Sequence, residues 1–334
     1  MSRIRIAGFG AVSPAGWGAA RLLTLCEAAA SCESQPLDRG EVRTPVMRVP
    51  PPEAGVLPRS PRLRRVSPVA KLAAAAIEVL GGRADTTRIG VVFCLSNGCV
   101  NYSNRFFTEA LADPATASPI LFPETIFNAP SSHISAMLGS RAPNDTLIAD
   151  AAGFFCGIDL AIDWLSGGEM DGVLVVCSEE IDWLSAEGLR LYHPQLVPSE
   201  GAAALLLEAG DGPGPDILAL PDPVAYSQTP RREAPALLRD AIHARIPDRP
   251  GNTLLVDGLT GIPEIDVAEA DAWAGWTGPR WSPRIHVGES MGASAGLQCA
   301  VAAAAVASGM ADTAIITATG ANQQAAGMVI GNAS

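Results

Sequence analysis

Short, almost entirely apolar segments recur along the chain and alternate with longer segments rich in alanine and glycine. Residues 89–95, 173–177 and 201–208 carry almost no polar side chains, which is typical of strands buried on both faces of a sheet. Segments between and after them, such as 157–165 and 293–307, place small or apolar residues at helical spacing. This alternation of buried strands and helices predicts an α/β fold with mainly parallel sheets.

The same pattern predicts the order of the elements. The predicted strands are residues 3–8, 89–95, 146–149, 173–177, 201–208, 253–257, 284–287 and 313–317. The predicted helices are residues 71–80, 131–138, 157–165, 236–244, 265–273 and 293–307. Residues 33–67 are rich in proline and arginine, and we expect them to form a surface loop.

A glycine- and proline-rich segment at residues 209–233 is the best candidate for a boundary between two halves. We therefore predict an N-terminal half over residues 1–208 and a C-terminal half over residues 209–334. Each half contains a small-residue helix that ends in Ser-Gly and leads into a buried strand. The shared pattern suggests a duplication, and tight packing of a helix on a sheet explains it equally well.

The composition excludes several kinds of protein. Of 334 residues, 48% are apolar and only 17% are charged, against about 25% charged in an average domain. The chain is therefore not a disordered one, and the deficit of charge suggests a large buried subunit face. No apolar run reaches the roughly 18 residues of a membrane span. A net charge of −12 is unfavourable for binding nucleic acid or an anionic membrane.

Seven cysteines form no Cys-x-x-Cys pair, which argues against a zinc cluster and against a disulfide framework. The first residues show no signal-peptide pattern, so we expect a cytoplasmic protein, with no metal and no cofactor. One basic cluster, formed by Arg59, Arg62, Arg64 and Arg65, interrupts the acidic balance. It is either a solvated loop before a helix or a contact for an acidic partner.

Four segments resemble the β-ketoacyl-ACP synthases of the thiolase superfamily. They are residues 5–16 (RIAGFGAVSPAG), 122–133 (FPETIFNAPSSH), 199–208 (SEGAAALLLE) and 288–296 (GESMGASAG). They occur in the family's order and span nearly the whole chain. The resemblance implies a thiolase-like fold, in which two duplicated βαβαβ halves form a five-layer α-β-α-β-α arrangement that works as a dimer.

The resemblance also implies three catalytic groups, a cysteine at the N-terminus of a buried helix and two histidines. Matching the spacing places Ala151 at the nucleophile position, Asp257 at the first histidine and Glu289 at the second, with Arg284 at the position of a lysine. All three catalytic positions are therefore vacated. The segment Asp-Ala-Ala-Gly at residues 150–153 resembles the Glu-Gln-Ala-Gly of chain-length factors, the inactive partners in type II polyketide synthases, with alanine in place of glutamine.

Other residues could supply catalysis instead. Cys156 lies five residues beyond Ala151, and His286, on the predicted strand 284–287, is its only conceivable dyad partner. A buried free cysteine is usually a small hydrophobe. Asp257 and Glu289 could act as an acid/base pair, or they could bind Arg284 and backbone groups, for example through an Arg284–Glu289 ion pair.

Six of the eight phenylalanines lie between residues 106 and 155. They are either ordinary core or, as the resemblance implies, part of the dimer interface and the acyl tunnel. In chain-length factors, bulky residues from this region cap the tunnel of the active partner, because a large ring occupies the volume of the growing chain. Phe106, Phe107, Phe154 and Phe155 are the candidates for this role.

The resemblance thus implies a non-catalytic, ketosynthase-like subunit. It would form a heterodimer with an active ketosynthase and shape the acyl tunnel during elongation of an ACP-bound polyketide or polyene, aryl polyenes included. The acidic acyl carrier protein would dock mainly on the partner. Two alternatives stay open at this stage. One is an active hydrolase or decarboxylase that uses Cys156 or the Asp257–Glu289 pair, and the other is a scaffold without influence on chain length.

Overall fold

The computed structural model describes residues 3–80, 82–246 and 252–332. The strands are β1 (Ile4–Ser13), β2 (Gly16–Trp17), β3 (Gln35–Arg39), β4 (Val42–Val46), β5 (Ile89–Leu95), β6 (Asn144–Ile148), β7 (Gly172–Glu179), β8 (Gly201–Ala209), β9 (Asp216–Ala219), β10 (Val224–Ala225), β11 (Thr253–Val256), β12 (Arg280–Trp281), β13 (Thr313–Thr319) and β14 (Gln324–Gly331). The helices are α1 (Ala19–Glu27), α2 (Pro68–Ala76), α3 (Val100–Ala112), α4 (Ala129–Leu138), α5 (Gly153–Ser166), α6 (Trp183–Tyr192), α7 (Ala234–Arg245), α8 (Pro263–Ala272), α9 (Pro283–Val287) and α10 (Ser294–Ala307).

Ten strands of the twelve-stranded main sheet form two five-stranded groups with the same internal order, and the short β2 and β10 pair with β1 and β14. In one group the order is β6-β5-β7-β8-β1, and in the other it is β12-β11-β13-β14-β9. Each group starts with two parallel pairings and continues with two antiparallel ones. A single pair, Arg5 with Asp216, joins β1 to β9. The predicted α/β class with duplicated halves is confirmed.

The expectation of a mainly parallel sheet is only half right, because β8, β1, β14 and β9 pair antiparallel. A strand that is buried on both faces is apolar throughout in either direction, so its composition does not reveal its orientation. The boundary predicted after residue 208 falls between the two groups of strands and stays a prediction.

Helices cover both faces of the two groups. One core cluster joins α1, α5 and α10 to both groups of strands, and α10 is buried from Ser294 to Val306. A second cluster packs α2 and α4 on the first group, and a third packs α7 and Trp273 on the second. The five layers are therefore helix, sheet, helix, sheet and helix. None of the helices in the described ranges has the length and apolar character that a membrane crossing requires.

Small residues are what allow the central layer to pack closely. A Cβ added at Gly296 of α10 would collide with Cys177 Sγ, and one at Gly157 of α5 would lie 2.6 Å from Cys94 Sγ. These separations are shorter than any real contact between such atoms. The alanine- and glycine-rich composition of both helices is therefore a packing requirement.

Three sequence predictions are corrected by the structure. Residues 284–287 belong to helix α9, which begins at Pro283 and ends before Gly288 with its φ of 81°. The edge strand of the second group is β12, which pairs with β11. The expected surface loop at 33–67 contains the β3–β4 hairpin. The segment 209–233 contains β9, which completes the second group, and β10, a two-residue strand that also pairs with β14.

Candidate functional site

A cavity of about 580 Å³ opens where several strands end. Residues that follow β5 and β6 and the last residue of β13 meet there, in agreement with the rule that ligands bind beyond the carboxyl ends of parallel strands. Helix α6 lies along one side. The apolar part of the lining consists of Val100, Phe127, Ala151, Leu184, Leu189, Tyr192, Leu196, Ile265, Met291 and Ala321.

Ala151 lies on this cavity, two residues before α5 begins. The preceding Asp150 holds the turn in place. Its carboxylate accepts hydrogen bonds from the backbone N–H groups of Ala152, Asn322 and Gln323 at 3.3, 3.0 and 3.1 Å. The predicted nucleophile position is therefore well fixed and lies on the cavity, and it carries only a methyl group.

Glu289 and Arg284 also line the cavity and form the ion pair expected from the sequence. Glu289 accepts two further hydrogen bonds, from Met291 N–H at 2.7 Å and from Ser294 Oγ at 3.0 Å. Arg284 Nη1 donates to the carbonyl oxygen of Gly258 at 2.6 Å. Burial lowers the pKa of Arg284. The Glu289 carboxylate is thus held by its neighbours and is not a free base.

Asp257 is fully buried and lies outside the cavity lining. It pairs with Arg280 and accepts hydrogen bonds from Ser282 Oγ at 2.7 Å and from Leu259 N–H at 3.1 Å. Burial, and next the nearby Glu269, raise the pKa of Asp257 to about 6. Asp257 and Glu289 each bind an arginine of their own, so the structure does not assemble the predicted acid/base pair.

Cys156 and His286 contact different parts of the fold. Cys156 lies on α5, where Gln324 Nε2 donates to its Sγ at 2.9 Å, and burial raises the pKa of the thiol. His286 lies on α9, not on a strand, and its Nδ1 is 3.3 Å from Ser31 Oγ, near the end of α1. Neither residue lines the cavity. The conceivable dyad is not formed, and the raised pKa of the thiol disfavours a thiolate nucleophile.

The four candidate phenylalanines divide into two pairs. Phe154 and Phe155 are fully buried in the central core, which corrects their assignment to an interface, because neither has surface to offer. Phe106 is half-buried on α3, and its ring centroid lies 5.8 Å from that of Phe107 and 5.4 Å from that of Phe122. Phe107 is 60% exposed. Only the α3 pair lies at an apolar surface.

Two site residues escaped the sequence analysis. Arg231 precedes α7 and lines the cavity from the second half of the chain, with its Nε donating to the carbonyl oxygen of Gly320 at 3.1 Å. Glu179, at the end of β7, is buried behind the cavity wall and accepts hydrogen bonds from the backbone N–H groups of Ser96 and Asn97. Burial raises the pKa of Glu179 to about 8. The position of Glu179 at the end of a buried strand is the one available signal, whereas Arg231 lies in a loop without a motif.

Comparison with known proteins gives a family and a fold. The model of the β-ketoacyl synthase N-terminal domain matches residues 42–229. A chain of the ishigamide ketosynthase/chain length factor structure superposes with a TM-score of 0.84 at 20% identity, covering 99% of this chain and 100% of that one. No curated protein matches the sequence.

Two further solved structures are similar. A chain of the complex of the ketosynthase ApeO with its chain length factor ApeC, from Xenorhabdus doucetiae, gives a TM-score of 0.84 at 12% identity, with 99% of this chain and 98% of that one covered. A β-ketoacyl synthase from Burkholderia phymatum STM815 gives 0.81 at 16% identity, with both chains covered completely. At such low identity these likenesses establish a common fold.

Proposed function

Because the chain belongs to the β-ketoacyl synthase family, we propose that it is a non-catalytic subunit that pairs with an active ketosynthase. One observation carries the proposal. Among the described residues that line the cavity there is no cysteine, histidine or lysine, and an alanine lies at the position where the family has its nucleophile. A cavity without a thiol or an imidazole offers no group for forming an acyl thioester or for moving its proton.

The residues at the two histidine positions argue in the same direction. Condensation needs hydrogen-bond donors aimed at the oxygen on which negative charge develops. An ionised carboxylate only accepts hydrogen bonds, and Asp257 and Glu289 are each paired with an arginine. Glu289 lines the cavity as an acceptor and Asp257 lies outside it, so neither supplies a donor for the developing charge, and replacing Ala151 alone would not complete a condensing site.

The edge of the first group of strands supports the proposed pairing. Within the described part of the chain, β6 pairs only with β5, and its outer edge is open. Ile126, Phe127 and Ile148 lie around this edge with exposed apolar side chains. Open edges of this kind promote association with another chain, and large exposed apolar patches are typical of interaction sites. The two ketosynthase/chain length factor structures that share the fold support a ketosynthase as the partner.

The exposed α3 surface is the proposed contribution to the acyl tunnel. Phe106 and Phe107 form one aromatic cluster with Phe122, and Leu111 continues the apolar surface along α3. Rings at the end of a tunnel in the partner would limit the length of the acyl chain by filling volume. The carrier protein would dock mainly on the partner, with the exposed arginines at 59–65 as a secondary contact.

The test is co-expression with a ketosynthase that carries a complete Cys-His-His set, followed by native mass spectrometry and product analysis. We expect a 1:1 complex whose activity is lost when the partner's cysteine is replaced. Phe107→Ala should shift the product towards longer chains, and Leu237→Ala, at an exposed leucine of α7, is the matched control. Condensation by this chain alone would contradict the non-catalytic role. If substitution of Phe106 and Phe107 does not change the product length, the chain acts as a scaffold without influence on chain length.

A further inference from the structure

One of the two arginines that line the cavity, Arg231, forms no ion pair with the described residues. Four charged residues line it, namely Arg231, Arg284, Asp150 and Glu289. Arg284 and Glu289 neutralise each other, and the Asp150 carboxylate is engaged by three backbone N–H groups. Arg231 forms no ion pair with any residue that the structure describes, and its one hydrogen bond from Nε goes to a neutral carbonyl.

Arg284 offers no further donor to the cavity. Its two terminal nitrogens are engaged by the Gly258 carbonyl oxygen and by Glu289, and its Nε is buried away from the cavity. Arg231 is therefore the guanidinium with free donors at the cavity wall, and such a group suits an anionic oxygen ligand.

The rest of the wall is mostly apolar, with Ser96, Asn97, Ser185, Thr319 and Asn322 as its uncharged polar residues. Leu184, Leu189 and Tyr192 of α6 and Phe127 line it together with Ile265 and Met291. Its volume of about 580 Å³ lies within the range of roughly 300–1,000 Å³ that is typical of small-molecule sites. An apolar chain would fill this space, while water would leave most of the wall without partners.

We propose that this cavity binds a free carboxylic acid with an apolar chain of medium length, with its carboxylate on Arg231 and its chain against α6 and Phe127. The ligand is the acid rather than an acyl thioester, because a guanidinium recognises negative charge and a thioester has none. All residues of the proposed site belong to this chain, and Phe127 also lies at the edge proposed for pairing. Binding is therefore measured on the chain without a ketosynthase, so failure to bind the acid and failure to pair are separate results.

The test is calorimetric titration of the full-length chain with decanoate, kept below its micelle concentration, and with two neutral ligands, 1-decanol and S-decanoyl-N-acetylcysteamine. We expect decanoate to bind about 10- to 100-fold more tightly than either neutral ligand. Arg231→Gln should abolish this preference, leaving the binding of decanol unchanged. Arg232→Gln removes the same charge at the exposed neighbouring residue and should change nothing.

A second variant tests the cavity without touching the arginine. Ala151→Leu adds volume at the cavity wall, so it should weaken all three ligands together by about 10-fold or more. Circular dichroism of each variant establishes that the fold is intact. The proposal is overturned if decanoate does not bind, if the thioester binds as tightly as the acid, or if a folded Arg231→Gln variant keeps the preference for decanoate.

Discussion

The side chain at position 151 is a single methyl group on the wall of the cavity, in a turn that Asp150 holds firmly. Ala151→Cys would introduce a thiol there, near the N-terminus of α5, where the helix dipole favours a thiolate. We expect the introduced thiol to accept an acyl group or to react with iodoacetamide, and the variant to show no condensation with malonyl-ACP. The reason is that Asp257 and Glu289 offer no hydrogen-bond donor to the developing charge.

Intact-protein mass spectrometry measures the acylation in that experiment, and release of CO2 from malonyl-ACP measures condensation. Ala152→Cys is the matched control, because Ala152 is fully buried in the central core and a thiol there should not react. Condensation by the single variant would show that the histidine positions matter less than the geometry suggests.

Glu179 makes the stability of the fold depend on pH. Burial raises its pKa to about 8, and the pKa of the adjacent Glu180 is raised to about 7, also by burial. In the unfolded chain both pKa values lie near about 4.3. Between about pH 5 and pH 8 the folded chain therefore holds protons that the unfolded chain has lost, and the free energy of unfolding falls as pH rises.

The prediction for Glu179→Gln is a flatter pH profile. The amide keeps the size of the side chain and removes its titration, so the slope of unfolding free energy against pH should decrease by about 1 kcal/mol per pH unit. Urea unfolding at pH 5.5, 6.5 and 7.5 measures it. Glu169→Gln, at an exposed position, is the control. Parallel profiles for the two variants and the parent chain would falsify the assignment.

At the scale of elements, glycines in two helices should respond in opposite ways to alanine. Gly188 on α6 has nothing within 4 Å of an added Cβ, whereas one at Gly157 on α5 would lie 2.6 Å from Cys94 Sγ. Gly188→Ala should raise the free energy of unfolding by about 0.5–1 kcal/mol, since glycine is a poor helix former. Gly157→Ala should lower it by about 1–3 kcal/mol through overpacking. Urea unfolding measures both, and equal signs would contradict the close contact at α5.

Burial on both faces makes a strand predictable from its sequence, whereas a short helix is marked only by the residues at its two ends. Strand β5 was predicted to the residue because both its faces are buried and every position is apolar. Residues 284–287 were predicted as a strand and form a helix. Pro283 at the first turn and Gly288 after the last were the signals that a helix begins and ends there. A five-residue segment is too short for periodicity to outweigh them.

The candidate site was predictable only where a motif marks it. Ala151 and Glu289 line the cavity, as their positions in the family pattern suggest. Asp257, directly after β11, is buried in the core outside the cavity. Arg231 lines the cavity from a loop that no motif identifies. Which side chains converge depends on how the two groups of strands are placed, and residue spacing within one segment carries no information about that.

For the molecule as a whole, the open edge of β6 is the surface on which the proposed pairing depends. Ile148→Lys places a charge at a residue that is 55% exposed on this edge, and Leu237→Lys does the same at a 49% exposed residue of α7. A charge on an edge strand discourages pairing, so Ile148→Lys should weaken the complex with an active ketosynthase by at least about 10-fold.

A typical exposed substitution changes the free energy of unfolding by less than about 0.5 kcal/mol. Both variants should therefore remain folded, and Leu237→Lys should bind the partner like the parent chain. Sedimentation velocity over a concentration series measures the dissociation constant. Equal affinities for the two variants would show that the interface does not include the edge of β6.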